Sequence, residues 1–137
     1  MKSLRLILRT PRYFAPSWVF ASLNIVFGSW ALYIPTVKES LGLNDGALGL
    51  ALLSMSTGLL ITIPVSTVII ERVGLGRTTI ISICALGLAM LGPVLAWNFA
   101  SLCTFLFVAG TLASLTDIGM NALVSELEQE DDENFMS

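Results

Sequence analysis

One carboxylate stands out because it follows a long uncharged stretch: residues 78–116 contain no charged side chain, and Asp117 comes next. An Asp at the centre of a membrane helix costs roughly 2.5 to 3.5 kcal/mol on insertion scales, and less away from the midplane. Such residues therefore usually face a bundle interior or a watery cavity. We expect Asp117 to be a protonatable site on a solute or proton pathway, with protonation coupled to a conformational change.

Small and polar residues recur around Asp117 at helical spacing. Ser114, Asn121 and Ser125 share one helix face with it, and Gly110 extends that face by one further turn. This face is not expected to point at lipid. A packing role for Asp117 is the alternative: Asn121, one turn away, would hydrogen-bond it, and interhelical polar contacts contribute roughly 0.6 to 2 kcal/mol each.

The composition is that of an integral membrane protein: 55% of the residues are hydrophobic and 12% are charged. Residues 13–37, 46–70 and 78–116 carry no charge. A single span needs about 20 apolar residues, so the third run must cross twice. Its break is expected near residues 96–99, where Asn98 lies between two aromatic residues.

We therefore predict an all-α, polytopic membrane protein with four transmembrane helices. They lie within residues 15–124, between a basic segment at 1–14 and an acidic tail at 125–137 that resembles a solvated linker. The predicted spans are about Ala15–Pro35, Gly46–Ile70, Thr78–Ala96 and Ala100–Val124.

Basic residues predict the orientation. Six of the seven lie on one side of these spans and only Lys38 lies on the other; the six are Lys2, Arg5, Arg9, Arg12, Arg72 and Arg77. The positive-inside rule then places both termini in the cytoplasm of a multi-pass inner (plasma) membrane protein. The first span is too long for a signal peptide and lacks a cleavage site, so we expect it to be retained.

Several classes of chemistry find no support in the sequence. The chain has no His, no Cys-x-x-Cys pair, and no glycine loop followed by Lys-Ser or Lys-Thr, so neither a metal site, a cofactor nor a nucleotide-driven engine is expected. Nothing suggests a nucleic-acid partner. Enzymatic activity is disfavoured because the membrane region offers one carboxylate without a basic partner.

The loop at residues 71–77 resembles the acid-Arg-x-Gly-x-x turn of the major facilitator superfamily. Gly74 and Gly76 permit a tight reversal, and Arg72 and Arg77 anchor it at an anionic surface. Glu71 should seek one of these arginines or the N-terminus of another helix. The resemblance implies that Glu71 helps to latch two halves of a transporter together; a generic turn with an incidental ion pair is the alternative.

Three further segments resemble one bacterial subgroup of that superfamily, at residues 29–35, 41–49 and 117–121. The resemblance implies that helices one and four line a central cavity, which makes Asn24, Trp30 and Tyr33 the candidates opposite Asp117. A straight helix places Asn24 and Tyr33 on opposite sides, so at most one should face the cavity unless Gly28 bends the helix. Helix-helix contact is the alternative for Asn24, and interfacial anchoring for the two aromatics.

The resemblance also implies the fold and the activity. Superfamily transporters have two six-helix halves, each built from two inverted three-helix units. Four helices form an incomplete N-terminal half, so we expect a truncated reading frame, a fragment, or a split transporter that needs the remaining helices or a complementary chain.

The favoured function is secondary transport of a small solute across the lipid bilayer by alternating access, either proton-coupled or as a uniporter. The alternatives are a self-contained four-helix exporter that oligomerises and a membrane scaffold that transports nothing.

Overall fold

The computed structural model describes the backbone of residues 11–136 and the side chains of Phe14 and residues 16–130. The basic side chains of Lys2, Arg5, Arg9 and Arg12 lie outside that part. The described chain consists of five helices joined by short turns: α1 (Pro11–Ser40), α2 (Asp45–Val73), α3 (Leu75–Ala89), α4 (Leu91–Leu95) and α5 (Phe99–Met136).

Within the residues that the structure describes, four segments are long and apolar enough to cross a membrane: Pro16–Ser40, Asp45–Val73, Leu75–Leu95 and Phe99–Glu130. The third combines α3 and α4, which are separated only by a turn at Met90. The prediction of an all-α protein with four membrane-spanning helices is therefore confirmed. The backbone remains helical to Met136, through the segment that the sequence suggested as a tail.

The turn between α1 and α2 is fixed by local polar contacts. Gly42 adopts a left-handed conformation with φ of 62°, which glycine tolerates at little steric cost. Asn44 then caps α2, its Oδ1 accepting a hydrogen bond from the backbone N–H of Ala47 at 2.7 Å. Lys38, in the last turn of α1, forms an ion pair with Asp45, in the first turn of α2. Both charges oppose the partial charge of their helix end, which favours this arrangement.

A single residue, Gly74, joins α2 to α3. Its N–H donates to the carbonyl of Ile70 at 2.9 Å, and its own carbonyl accepts from the N–H of Thr78 at 3.0 Å. Its φ of 98° and ψ of 147° lie in a region that only glycine commonly occupies. Gly76, by contrast, lies inside α3, so the reversal expected of both glycines depends on Gly74 alone.

The chain leaves helical geometry again at residues 96–98, where the sequence suggested a break. Asn98 and Ser101 cap α5 reciprocally: Asn98 Oδ1 accepts from the N–H of Ser101 at 2.7 Å, and Ser101 Oγ accepts from the N–H of Asn98 at 3.2 Å. The exposed ring of Trp97 meets the ring of Phe105 edge-on, with centroids 6.1 Å apart.

Helix α5 is the centre of the bundle and packs most extensively against α2. The two backbones meet at glycines. A Cβ on Gly110 would collide with the carbonyl group of Met55, and a Cβ on Gly58 would collide with the carbonyl oxygen of Phe107 and approach the N–H of Thr111 to 3.0 Å. Close approach through small residues is the usual way to associate helices in lipid, where apolar side chains gain little by meeting.

Helix α3 packs on another part of α5, and α1 is the most peripheral of the four spans. A Cβ on Gly119 of α5 would collide with the Thr79 hydroxyl of α3. In the most apolar stretch of α1 only 6% is buried, against 44% in α5. Helix α1 contributes Trp30 and Val37 to the hydrophobic core.

Hydroxyl groups in the spans mostly satisfy themselves within their own helix. Among the described residues, twelve of them donate to a backbone carbonyl three or four residues earlier, at 2.7 to 3.3 Å; they belong to Ser22, Ser54, Ser56, Thr57, Thr62, Ser66, Thr79, Ser82, Ser101, Thr104, Thr111 and Thr116. Because each donor is paired locally, these residues need no partner on another helix.

Candidate functional site

A cavity of about 340 Å³ lies where α1, α2 and α5 meet. Each helix contributes residues one turn apart, as expected where helix faces border a common space. The lining residues are Leu23 and Phe27 from α1, Leu59 and Ile63 from α2, and Ala113, Ser114, Asp117 and Ile118 from α5.

The cavity adjoins the tight contact between α2 and α5. Gly58, which meets the backbone of α5, and Thr62, one turn further along α2, are buried, whereas Leu59 and Ile63, one position later in each case, line the cavity. A shift of one residue rotates the side-chain direction by about 100° around a helix. Helices α2 and α5 therefore contact each other directly along one face, and along the adjacent face they border the cavity.

Asp117 lines this cavity and its side chain is exposed. In the described part of the chain its carboxylate has neither a hydrogen-bond donor nor an ion-pair partner. An ionised carboxylate can only accept hydrogen bonds. Asp117 is therefore available to a proton, to a cation or to a hydrogen-bond donor on a solute.

Asn121 does not play the part that the packing alternative gave it. Its side chain is exposed, it is not among the cavity-lining residues, and no hydrogen bond joins it to Asp117 in the described structure. The polar face of α5 divides accordingly: Gly110 and Ser114 are buried, whereas Asp117, Asn121 and Ser125 are exposed.

The three candidates on α1 also lie away from the cavity lining. The amide of Asn24 donates to the carbonyl oxygen of Phe20 in its own helix at 2.8 Å. Trp30 is 6% exposed and belongs to the hydrophobic core with Leu86 and Met90 of the third span. Tyr33 is 49% exposed.

Leu23 and Phe27 are the α1 residues that reach the cavity, and sequence reasoning missed them because it searched for polar side chains. Leu23 and Phe27 are four residues apart and therefore share a helix face, and this spacing was the available signal. Nothing in the apolar sequence of α2 distinguished Leu59 and Ile63 from their neighbours.

The loop motif that the sequence suggested makes its tight turn at Gly74, and its charged side chains point to solvent. Glu71, Arg72 and Arg77 are all exposed. Within the described residues no hydrogen bond or ion pair joins Glu71 to either arginine. Gly74 supplies the sharp turn between them. The three charged side chains are therefore available to groups outside this four-span unit.

Comparison with known proteins gives a consistent assignment. The sequence profile of the Major Facilitator Superfamily matches residues 4–136. An uncharacterized MFS-type transporter of Yersinia pestis is 28% identical over 118 residues, covering 86% of this chain and 31% of the relative. An uncharacterized transporter of Sinorhizobium fredii is 30% identical, covering 77% of this chain and 28% of the relative.

The chain thus spans less than a third of the length of either relative. No solved structure matches it significantly. The profile match extends over all four spans, from before α1 to the last turn of α5. This multi-pass membrane chain belongs to the Major Facilitator Superfamily.

Proposed function

We propose that this chain forms part of a secondary transporter that moves a small solute across the inner (plasma) membrane by alternating access. The observation that carries the proposal is the unpartnered carboxylate of Asp117 on a cavity between three spans. Ionisable groups within membrane spans are costly and commonly mark a solute or proton pathway. Family membership and the transporter names of both relatives support the same function.

In this mechanism Asp117 exchanges between a protonated and an ionised state as the cavity opens to one side of the membrane and then the other. A ligand shifts such an equilibrium only through its different affinity for the two states. Protonation removes the charge that disfavours a closed, apolar surrounding, so a protonated Asp117 favours occlusion. Uniport, with Asp117 contacting solute alone, is the simpler variant.

The four described spans form one wall of such a pathway. Superfamily transporters place their solute site between two halves. We propose that further helices complete the enclosure, and that the exposed side chains of Glu71, Arg72 and Arg77 contact them at the cytoplasmic end. Both termini are then cytoplasmic, as the distribution of basic residues favours.

Water access to the cavity tests this proposal without knowledge of the solute. Ile63 lines the cavity and is 55% exposed, whereas Ile81 on α3 is 60% exposed and does not line it. Each is replaced by Cys in a background in which Cys84 and Cys103 are Ser, and membrane vesicles of both orientations are treated with an impermeant maleimide.

A transport pathway predicts rapid labelling of Ile63→Cys from at least one side and little labelling of Ile81→Cys. Equal, slow labelling of both would contradict a water-accessible pathway and favour the scaffold. A self-contained four-helix exporter, the other alternative, would be supported by a defined oligomer of this chain in detergent together with the same labelling.

A further inference from the structure

The polar residues of the cavity all lie on one of its walls. Six of its eight lining residues are apolar, and both polar ones, Ser114 and Asp117, lie three residues apart on α5. They occupy neighbouring positions on one helix face. A ligand in this space therefore meets a polar strip along α5 and an apolar surface formed mainly by α1 and α2.

Ser114 differs from most hydroxyl residues of the bundle. It is 6% exposed, yet its Oγ has no hydrogen-bond partner among the described residues. Thr111 and Thr116 on the same helix donate to the carbonyls of Phe107 and Leu112. Among the described residues, the one buried side-chain polar atom without a partner is Thr78 Oγ1, so Ser114 Oγ keeps accessible surface although its residue is mostly buried. The free oxygen of Ser114 borders the cavity, so a ligand is in a position to satisfy it.

Asp117 supplies the charge that selects the ligand. No cation of the described chain lies within ion-pair distance of it. A ligand carboxylate or phosphate would be repelled there, and a polyol would leave most of its hydroxyls against apolar walls, at a cost for each unpaired group. A cationic donor gains a charge-assisted hydrogen bond instead.

We propose that this cavity binds a protonated amine that carries an apolar body. The ammonium group donates one hydrogen bond to the Asp117 carboxylate and another to Ser114 Oγ. The apolar body lies against Phe27 and Leu59. The volume of about 340 Å³ falls at the lower end of the range of small-molecule pockets, so the body corresponds to one ring or a short chain. This inference rests on the proposed function, because it names the solute class of the same cavity.

The test measures binding of 4-phenylbutylamine to the full chain in lipid nanodiscs by equilibrium dialysis, at a pH at which the amine is protonated. 4-Phenylbutanol and 4-phenylbutyrate serve as neutral and anionic probes of similar shape. Glu39→Gln is the control variant, since Glu39 is an exposed carboxylate at the end of α1 away from the cavity and its replacement changes the net charge equally.

The amine should bind at least about tenfold more tightly than the alcohol, as expected for a hydrogen bond to a charged group, and the acid should not bind. Asp117→Asn should remove that preference, Ser114→Ala should weaken amine binding by about threefold to tenfold, and Glu39→Gln should change neither. Circular dichroism of each variant verifies that it folds.

Equal binding of amine and alcohol, or an unchanged amine affinity in Asp117→Asn, would overturn the inference. These outcomes leave the proposed function intact if Ile63→Cys is still labelled from water, since a pathway can carry another solute. Absence of labelling combined with absence of amine binding rejects both.

Discussion

Two neighbouring surfaces of α5 are built in opposite ways. On one, Gly110 brings the backbone against the carbonyl group of Met55 in α2. On the other, Asp117 borders open space between α1, α2 and α5. The first surface has no room for a methyl group, and the second has room for a ligand.

The difference shows that the size of the facing side chains determines which helix contacts in the bundle are rigid. Where glycine faces a neighbour, two backbones approach until they touch, and sliding is resisted by direct steric contact. Where Leu, Ile and Phe face the same space, the helices are held apart and α1 remains loosely attached. Packed interfaces tend to be bistable and do not deform continuously, so relative motion is expected at the open surface. We therefore expect α2 and α5 to behave as one unit and α1 as the movable partner.

Gly58→Ala should have the largest effect because its new methyl group would collide with the backbone of α5. We expect the free energy of unfolding to fall by about 3 kcal/mol, at the upper end of the usual cost of overpacking. Circular dichroism during titration with sodium dodecyl sulfate in mixed micelles measures it. Gly49→Ala is the matched control on the same helix, where a Cβ meets nothing within 4 Å. It should stabilise the helix by about 0.5 to 1 kcal/mol.

Gly74→Ala tests whether the backbone conformation of the one-residue link between α2 and α3 is also needed for stability. Alanine at φ 98° and ψ 147° is strained, and such backbone conformations cost about 1 to 3 kcal/mol. The same titration should show a loss within that range. Gly76→Ala lies in ordinary helical geometry with open space around it, and should lose nothing. Equal losses in the two variants would show that conformation at Gly74 is not the cause.

Phe27→Ala probes the cavity-facing surface, where α1 meets α2 and α5. A fully buried phenylalanine typically contributes 3 to 5 kcal/mol over alanine, but this ring is half-buried beside an existing cavity, so we expect a loss of about 1 kcal/mol. Ile63→Cys should then be labelled faster from water, because the cavity is wider. A loss as large as that of Gly58→Ala would mean that α1 is held as firmly as α2.

Asp117→Asn should have the smallest effect on stability. Its carboxylate makes no contact that the change would break, so the free energy of unfolding should stay within about 0.5 kcal/mol of the parent chain. Binding or transport of the solute should change, whereas the unfolding titration should not. A loss of 2 kcal/mol or more would favour the packing role over the pathway role.

Charge-free stretches and their lengths were sufficient to predict the four spans, because insertion into lipid depends on local composition. The helix ends were less accessible. Helix α1 was expected to end at Pro35 but continues to Ser40, since membrane helices accommodate proline when its freed backbone groups find other partners. Helix α5 continues beyond Val124 because helical geometry does not stop where the apolar sequence stops.

The candidate site was predictable only in part. Asp117 lines the cavity, and it stood out in the sequence because a charge in an apolar stretch is visible without any neighbour; its pathway role stays a prediction. Trp30 was assigned to a pathway or an interface, whereas it lies in the core with Leu86 and Met90, residues more than fifty positions away in the sequence. Partners this far apart in the sequence cannot be predicted from the spacing of residues within one helix. The pathway roles of Asn24, Trp30, Tyr33 and Asn121 stay predictions.

The hydroxyls that donate within their own helices bear on how the chain enters the membrane. Groups such as Thr57 and Thr104 keep their hydrogen bonds even when their helices are far apart. Most hydroxyls of a span can therefore be satisfied as it leaves the insertion machinery, before it meets a neighbour; among the described residues, the hydroxyls of Thr78 and Ser114 and the carboxylate of Asp117 are exceptions. Association then needs only the meeting of glycine surfaces. Assembly of this bundle is expected to be tolerant of the order in which its spans arrive.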